Sequence, residues 1–231
     1  MRTFGFVFAR GGSKGVPGKN IRLFAGKPLL AHSLHVASKV TEIERVFVST
    51  DSSEIASVAE LYGATTIERP VELAQDDSPE WMAWRHAINW VRAEIDDFDR
   101  FVSLHATAPL RKVEDVVKCL NAFDKNTDIV LTMVATQRSP WFNMVKVNAS
   151  GQLSLLAEGN NIVRRQDAPV SYDLTTVAYV SRPEFILKRD RLWDGRVKGV
   201  EVPQERAIDI DTETDFLVAD FLMRKFRDDV K

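Results

Sequence analysis

The chain has 231 residues, 45% of them hydrophobic and 28% charged, and a formal net charge of −2. That length suffices for one sizeable α/β core, and the near-neutral balance excludes a global field for nucleic acid or an anionic membrane, so any basic surface must be local. A single cysteine, Cys119, excludes an intrachain disulfide framework and cysteine-rich zinc sites, and its helical spacing with Val116, Leu120 and Phe123 marks it as core.

Thr3 to Ala9 is an apolar, β-favouring run that reads as a strand and not as a signal peptide. No apolar run approaches membrane-spanning length, so the expectation is a cytoplasmic protein. The run breaks into Arg10-Gly-Gly-Ser-Lys14-Gly-Val-Pro-Gly-Lys19-Asn20. Its glycines and Pro17 rule out a helix and let the backbone curl tightly, while Arg10, Lys14 and Lys19 charge the curl. A cationic glycine loop after a buried strand can surround a polyphosphate with N–H groups and ammonium heads, and the ligand expected is a nucleoside triphosphate. The loop is not a Walker A, because Asn20 follows Gly18-Lys19 and Ser13 stands where the first glycine belongs. Nor is it the dinucleotide fingerprint, because Gly11 and Gly12 are adjacent.

Further along, the spacing predicts a helix over Leu29–Val40, a strand over Arg45–Thr50, a helix over Glu54–Tyr62 capped by Ser52 or Ser53, and a short strand at 65–67. A long helix over Ser78–Ile95 follows, with Ser78 as cap, Pro79 at its first position and Trp81, Trp84, Ile88 and Val91 on its core face. Then come a strand at Phe101–Ala106, a helix at Val113–Phe123 and a strand at Asp128–Ala135. Strands alternating with helices favour a mostly parallel, doubly wound sheet. Ligands of such sheets gather at the carboxyl ends of the strands, where the 10–20 loop, Asp51, Arg69 and the 105–111 segment all fall.

Between about Gln137 and Asp173 the pattern changes. Trp141–Val147 and Leu153–Ala157 read as a hairpin inserted into a single 1–231 domain, a lid or an oligomerisation arm. Strands over Thr175–Val180 and Gly199–Val202 flank a short helix at Pro183–Arg189. In Ile208-Asp209-Ile210-Asp211, read as a strand, the isoleucines face the core and the two aspartates project together. Paired carboxylates beside a triphosphate suit magnesium, although Asp211 or Thr212 also caps the helix that follows.

Ala9-Arg-Gly-Gly-Ser-Lys14, Pro17-Gly-Lys-Asn20, Gly26-Lys-Pro28, Ser49-Thr-Asp51, Arg69-Pro70, Pro109-Leu-Arg111, Arg165-Gln166 and Asp209-Ile-Asp211 occur in one order across almost the whole chain. That order resembles the acylneuraminate cytidylyltransferases, which activate sialic acid and related nonulosonic acids as CMP-sugars. The resemblance implies a Rossmann-like nucleotidyltransferase fold in which the 137–173 hairpin builds a homodimer. It implies CTP binding by Ala9, Arg10, Gly11, Gly12, Ser13, Lys14, Lys19, Asn20, Arg69, Ser78, His105 and Thr107. The sugar would face His105, Arg164, Arg165, Gln166, Asp173, Thr175 and Tyr179, with Arg164 or Arg165 entering the partner's site. Arg10, Lys14, Asp209 and Asp211 would carry catalysis, the aspartates holding magnesium. His105 stands where the family often has Gln, and Thr175-Thr-Val-Ala-Tyr179 replaces a common Asn-Gly-Ala before the aromatic residue. These departures point to a modified, legionaminic-type sugar; a 3-deoxy-octulosonate enzyme and a non-catalytic nucleotide-binding relative are the alternatives.

Overall fold

The computed structural model describes residues 1–158 and 162–228, apart from the side chains of 226–228. In chain order the elements are β1 (Thr3–Phe8), β2 (Leu23–Phe24), β3 (Lys27–Pro28), α1 (Leu29–Ala37), β4 (Ile43–Thr50), α2 (Ser53–Leu61), β5 (Thr65–Glu68) and α3 (Glu80–Glu94). There follow β6 (Arg100–Ser103), α4 (Val113–Ala122), β7 (Ile129–Ala135), β8 (Val145–Val147), β9 (Leu153–Leu155), β10 (Tyr172–Ser181), α5 (Pro183–Lys188), β11 (Val197–Glu201) and α6 (Glu213–Asp228).

Seven strands form one sheet in the order β11-β7-β10-β6-β1-β4-β5. All neighbours pair in parallel except around β10, which runs antiparallel to both β6 and β7. Alternation along β1 sorts its side chains between two cores. Phe4 and Phe6 stack with Phe47, Phe98 and Phe101 under α3, whose Trp81, Trp84, Ile88 and Val91 close that layer. Val7 and Ala9 point the other way, against Leu30 and Leu34 of α1, Ile55 and Ala59 of α2, and Val116 and Leu120 of α4. Cys119 belongs to this second layer, and burial pushes its thiol up to about 12, which makes it a packing residue.

A third, smaller core decides where the site forms. Val16 of the glycine loop is fully buried with Phe24, Leu29 and Leu110, against Ile210 just before α6 and Phe216 and Ala219 on it. It joins the two chain segments that sequence reading singled out.

Several expected elements differ: the hairpin strands shorten to Val145–Val147 and Leu153–Leu155, and the first helix stops at Ala37. The helix expected from Ser78 begins at Glu80, because Pro79 is extended at the N-cap and the Ser78 hydroxyl donates back to Glu72 O at 2.5 Å. The strand expected through Ala106 ends at Ser103. Residues 208–211 are not a strand: Ile210 N–H donates to Thr107 O at 2.9 Å, and the segment joins no sheet. The hairpin does form, as the two-stranded sheet β8-β9, with Gly151 at φ 80° in its turn. Among the described residues no helix is long and apolar enough to cross a membrane.

The segment leading to 208–211 is anchored by Arg206. Its guanidinium is buried between Glu114 and Asp115 in the first turn of α4, with Asp115 fully buried at 3.4 Å. Arg206→Met would strand that carboxylate and is expected to cost about 3–5 kcal/mol in urea unfolding. Glu114→Gln, at the exposed end of the same group, is expected to leave the unfolding midpoint close to that of the unmodified protein. Equal losses in the two variants would show that the buried charge is not what anchors the segment.

Candidate active site

The glycine loop leaves the carboxyl end of β1 with its backbone already accounted for. Ala9 N–H donates to Ser49 O at 3.1 Å, and Gly11 N–H donates to the Asp51 carboxylate at 2.9 Å. The buried Asn20 amide donates to Arg10 O at 3.0 Å and closes the loop from its far end. Ala9, Gly11 and Asn20 are therefore framework, and Gly12 borders open space. Lys19 is nearly buried and donates to Ile210 O at 2.5 Å, with Asp211 Oδ1 at 3.4 Å. Gly15 lies so close to the same segment that a Cβ there would stand 2.0 Å from Asp211 O. Cations from the start of the chain and a carboxylate from its end thus meet.

They meet at a cavity of about 310 Å3 lined by Arg10, Ser13, Lys14, Lys19, Asn20, Asp76, Glu80, His105, Thr107 and Asp211, among others. A second cavity of about 260 Å3 adjoins it, sharing Phe8, Arg10, Asp76 and Glu80 and adding Arg69, Ser78 and Gln75. Arg69 is buried over the Phe8 ring at 5.6 Å and donates to Ser49 Oγ and O at 3.1 and 2.6 Å. Burial pulls it below its ordinary value, against the opposing pull of Asp51 and Glu80. Asp76 belongs to the polar 73–78 stretch, which as sequence could cross the mouth of a site, whereas nothing in the sequence marks Glu80. Asp76 pairs with Arg10 and Lys14, and those two cations hold its carboxyl below the usual range, Lys14 most.

His105 faces Glu80, with Nε2 3.1 Å from Oε1, and its ring meets Tyr179 edge-on at 5.1 Å. Burial raises Glu80, and its contact with His105, with Trp84 and Arg69 behind it, more than reverses that, leaving the carboxyl below its usual range. Tyr179 is pushed up to about 12 by burial, then by the Glu80 and Asp209 carboxylates. Asp209 lies deeper than Asp211, and its Oδ1 is buried with no hydrogen-bond partner. Beyond Tyr179, Trp81, Trp84, Leu192 and Trp193 wall a third cavity of about 400 Å3 that reaches Glu80.

Other expected residues lie elsewhere. Thr175 is buried, and its hydroxyl donates to Thr132 Oγ1 at 2.8 Å, so it packs in the sheet and walls no cavity. The reason is a bulge in β10: Thr175 pairs with Thr132, yet Tyr179 pairs with the adjacent Leu131, so the two side chains leave the sheet on opposite faces. Asp173 is exposed on β10 opposite Val134. Arg164 is exposed and pairs with Asp167 at 2.8 Å. Arg165 and Gln166 line a separate cavity of about 360 Å3 with Arg138 and Ser139, at the foot of the hairpin.

Comparison with known proteins places this geometry. The sequence model of a family described as Cytidylyltransferase matches residues 4–216. The chain is 35% identical over 223 residues to a CMP-N,N'-diacetyllegionaminic acid synthase of Campylobacter jejuni, covering 94% of this chain and 93% of that one. It is 33% identical over 225 residues to the post-translational flagellin modification protein B of Campylobacter coli, covering 95% and 94%. In fold it is similar to a CMP:2-keto-3-deoxy-manno-octonic acid synthetase complexed with CTP, with a TM-score of 0.73 over 98% of this chain and 100% of that one; at 17% identity this bears on the fold alone.

The close approach at Gly15 makes a direct check. Gly15→Ala must push the loop off the Asp211 backbone, since neither contact atom is the end of a flexible side chain. The expected loss in chemical denaturation is about 1–3 kcal/mol. Unchanged stability would mean that the loop and the 210–211 segment are not locked together.

Proposed function

The chain belongs to the cytidylyltransferase family, and from that premise we propose that it transfers CMP from CTP to the anomeric hydroxyl of a nonulosonic acid, releasing pyrophosphate. The observation that carries the reading is the meeting of Lys19 with Ile210 and Asp211 beside Arg10 and Lys14 at one cavity. The triphosphate lies along those cations, and the adjoining cavity of Phe8, Arg69 and Ser78 takes the base and ribose.

The sugar's anomeric oxygen attacks the α-phosphorus in line, a new P–O bond forms, and the bond to pyrophosphate breaks. Such transfer asks the protein for positioning and charge stabilisation. Arg10 and Lys14 meet charge developing on the leaving pyrophosphate. Lys19 is already oriented by the Ile210 carbonyl, so it loses little freedom on meeting a phosphate oxygen.

Magnesium is part of the proposal, and Asp209 and Asp211 would hold it. Asp209 Oδ1 is a desolvated oxygen with no partner, and Asp211 lines the cavity, so both offer the hard oxygens this ion takes. No group of three or more potential metal-binding side chains converges among the described residues. When bound it supplies positive charge against the phosphate oxygens.

The sugar lies toward His105 and Tyr179. The aromatic cavity beyond them suits acylamido and deoxy substituents better than a fully hydroxylated chain, which supports a legionaminic-type acid. We further read the 137–173 insertion as the arm of a cytoplasmic homodimer. Val145, Val147, Leu153 and Leu155 of the hairpin are exposed, a surface that gains by being covered. Arg165 and Gln166, distant from their own cleft, would then serve a partner's.

Incubation with CTP, magnesium and sialic, legionaminic, pseudaminic or octulosonic acid, with products identified by mass, is expected to yield chiefly CMP-legionaminate. Asp211→Ala and Lys14→Ala are each expected to stay folded and to lose about 10²–10³ in turnover. Near-normal turnover in either variant removes that residue's role, and a product from octulosonic acid alone replaces the substrate reading.

A further inference from the structure

We propose that Asp76 is an internal counter-anion that ties the cleft closed in the ligand-free protein and gives up its cations to the phosphates of the incoming nucleotide. The nucleotide half of this statement rests on the activity proposed above; the exchange of a carboxylate for a polyphosphate does not.

The carboxylate uses both oxygens. Oδ1 stands 2.7 Å from the Arg10 guanidinium, and Oδ2 pairs with the Lys14 ammonium. Arg10 also donates to Ala74 O at 3.3 Å, so the segment carrying Asp76 is tied to the glycine loop at two points. That segment is a compact turn in its own right: Gln75 Nε2 donates to Val71 O at 2.7 Å and Ser78 Oγ to Glu72 O at 2.5 Å. It can therefore part from the loop as a unit.

Position supports the same reading. Asp76, Arg10, Phe8 and Glu80 are common to the two adjoining cavities, so the Asp76–Arg10 pair stands on the partition between them. A ligand with a base and ribose in one cavity and phosphates in the other must cross that partition. Two carboxylate oxygens across two cations reproduce what two phosphate oxygens would offer them. The side chains of Asp76 and Lys14 are 42% and 81% exposed, so the pair is weak enough to yield to a multiply charged ligand. Asp76 therefore competes with a phosphate for the same two cations, while Asp51, Asn20 and Ile210 hold the loop without it. The Asp76 carboxyl, held ionised by Lys14 and Arg10, keeps this bridge in place at neutral pH.

Binding of CTP and of inorganic tripolyphosphate, measured by calorimetry on the unmodified protein, Asp76→Asn and Asp77→Asn, with and without magnesium, tests the idea. In Asp76→Asn both ligands are expected to bind about two- to thirty-fold more tightly, the range that two exposed ion pairs span. Asp77→Asn, the same charge change one residue on, is expected to leave affinity within about two-fold. Equal or weaker binding in Asp76→Asn overturns the proposal, as does equal tightening in Asp77→Asn, which would make net charge the cause. If tripolyphosphate tightens while no variant binds CTP, the counter-anion stands and the cytidylyl reading falls. If CTP binds and Asp76→Asn changes nothing, the reverse holds. If neither ligand binds any variant, both fall.

Discussion

The site depends on one small apolar core that takes in both Val16 and Ile210. Both side chains are fully buried in the small core beneath α6, with Phe24, Leu29 and Phe216 around them. Burying such a pair contributes about 1.5–3 kcal/mol per side chain, more than an exposed ion pair between the same segments would. Polar contacts then refine what that burial brings together. Lys19 reaches the Ile210 carbonyl, and Gly15 lets the two backbones approach more closely than any Cβ would permit. A phosphate loop near the start of the chain and an acidic segment near its end become one wall because a valine and an isoleucine share a core.

Electrostatics give that wall its second constraint. Arg10, Lys14, Lys19 and Arg69 line the two adjoining cavities together with the carboxylates of Asp76, Glu80 and Asp211. Four cations against three carboxylates leave the cleft close to balance before any ligand arrives. A bare polyphosphate would enter a nearly neutral site, so it must either bring a cation of its own or release one of the internal anions. On the function proposed above, Asp209 and Asp211 would meet the first demand and Asp76 the second.

Much of this was legible in the sequence, and for physical reasons. The apolar, β-favouring run from Thr3 to Ala9 marks the first strand, and its break into glycines and lysines marks the loop. The rule that ligands gather at the carboxyl ends of parallel strands placed Arg69, His105 and Thr107 in one cleft. The charge partners of Asp76 and Glu80 were not legible, because a counter-ion is recognised by the charge it faces across space and not by its spacing along the chain. The Ile208–Asp211 alternation reads as a strand from its residue types, but Ile210 N–H donates to the Thr107 carbonyl and the segment joins no sheet.

Tyr179 shows how far a parity argument can be trusted. Counting by twos from Thr175 puts both residues on one face, whereas it is the family resemblance that implies both face the sugar. The chain instead inserts Thr176, Val177 and Ala178 between two adjacent register positions of β7. That loop of backbone is held from inside the sheet: the Arg111 guanidinium donates to Val177 O at 2.6 Å, and Thr132 Oγ1 accepts the Ala178 N–H at 3.2 Å. Burial pulls Arg111 down to about 9, against the Asp209 and Asp115 carboxylates, so a costly buried cation is retained at this spot. What it maintains is the reversal of face, and that reversal puts the Tyr179 ring against His105 and Trp84. The strand that runs against the rest of the sheet is thus also the one whose register is broken. The break, more than the choice of aromatic residue, places Tyr179 where the phosphate loop's cavity meets the aromatic one.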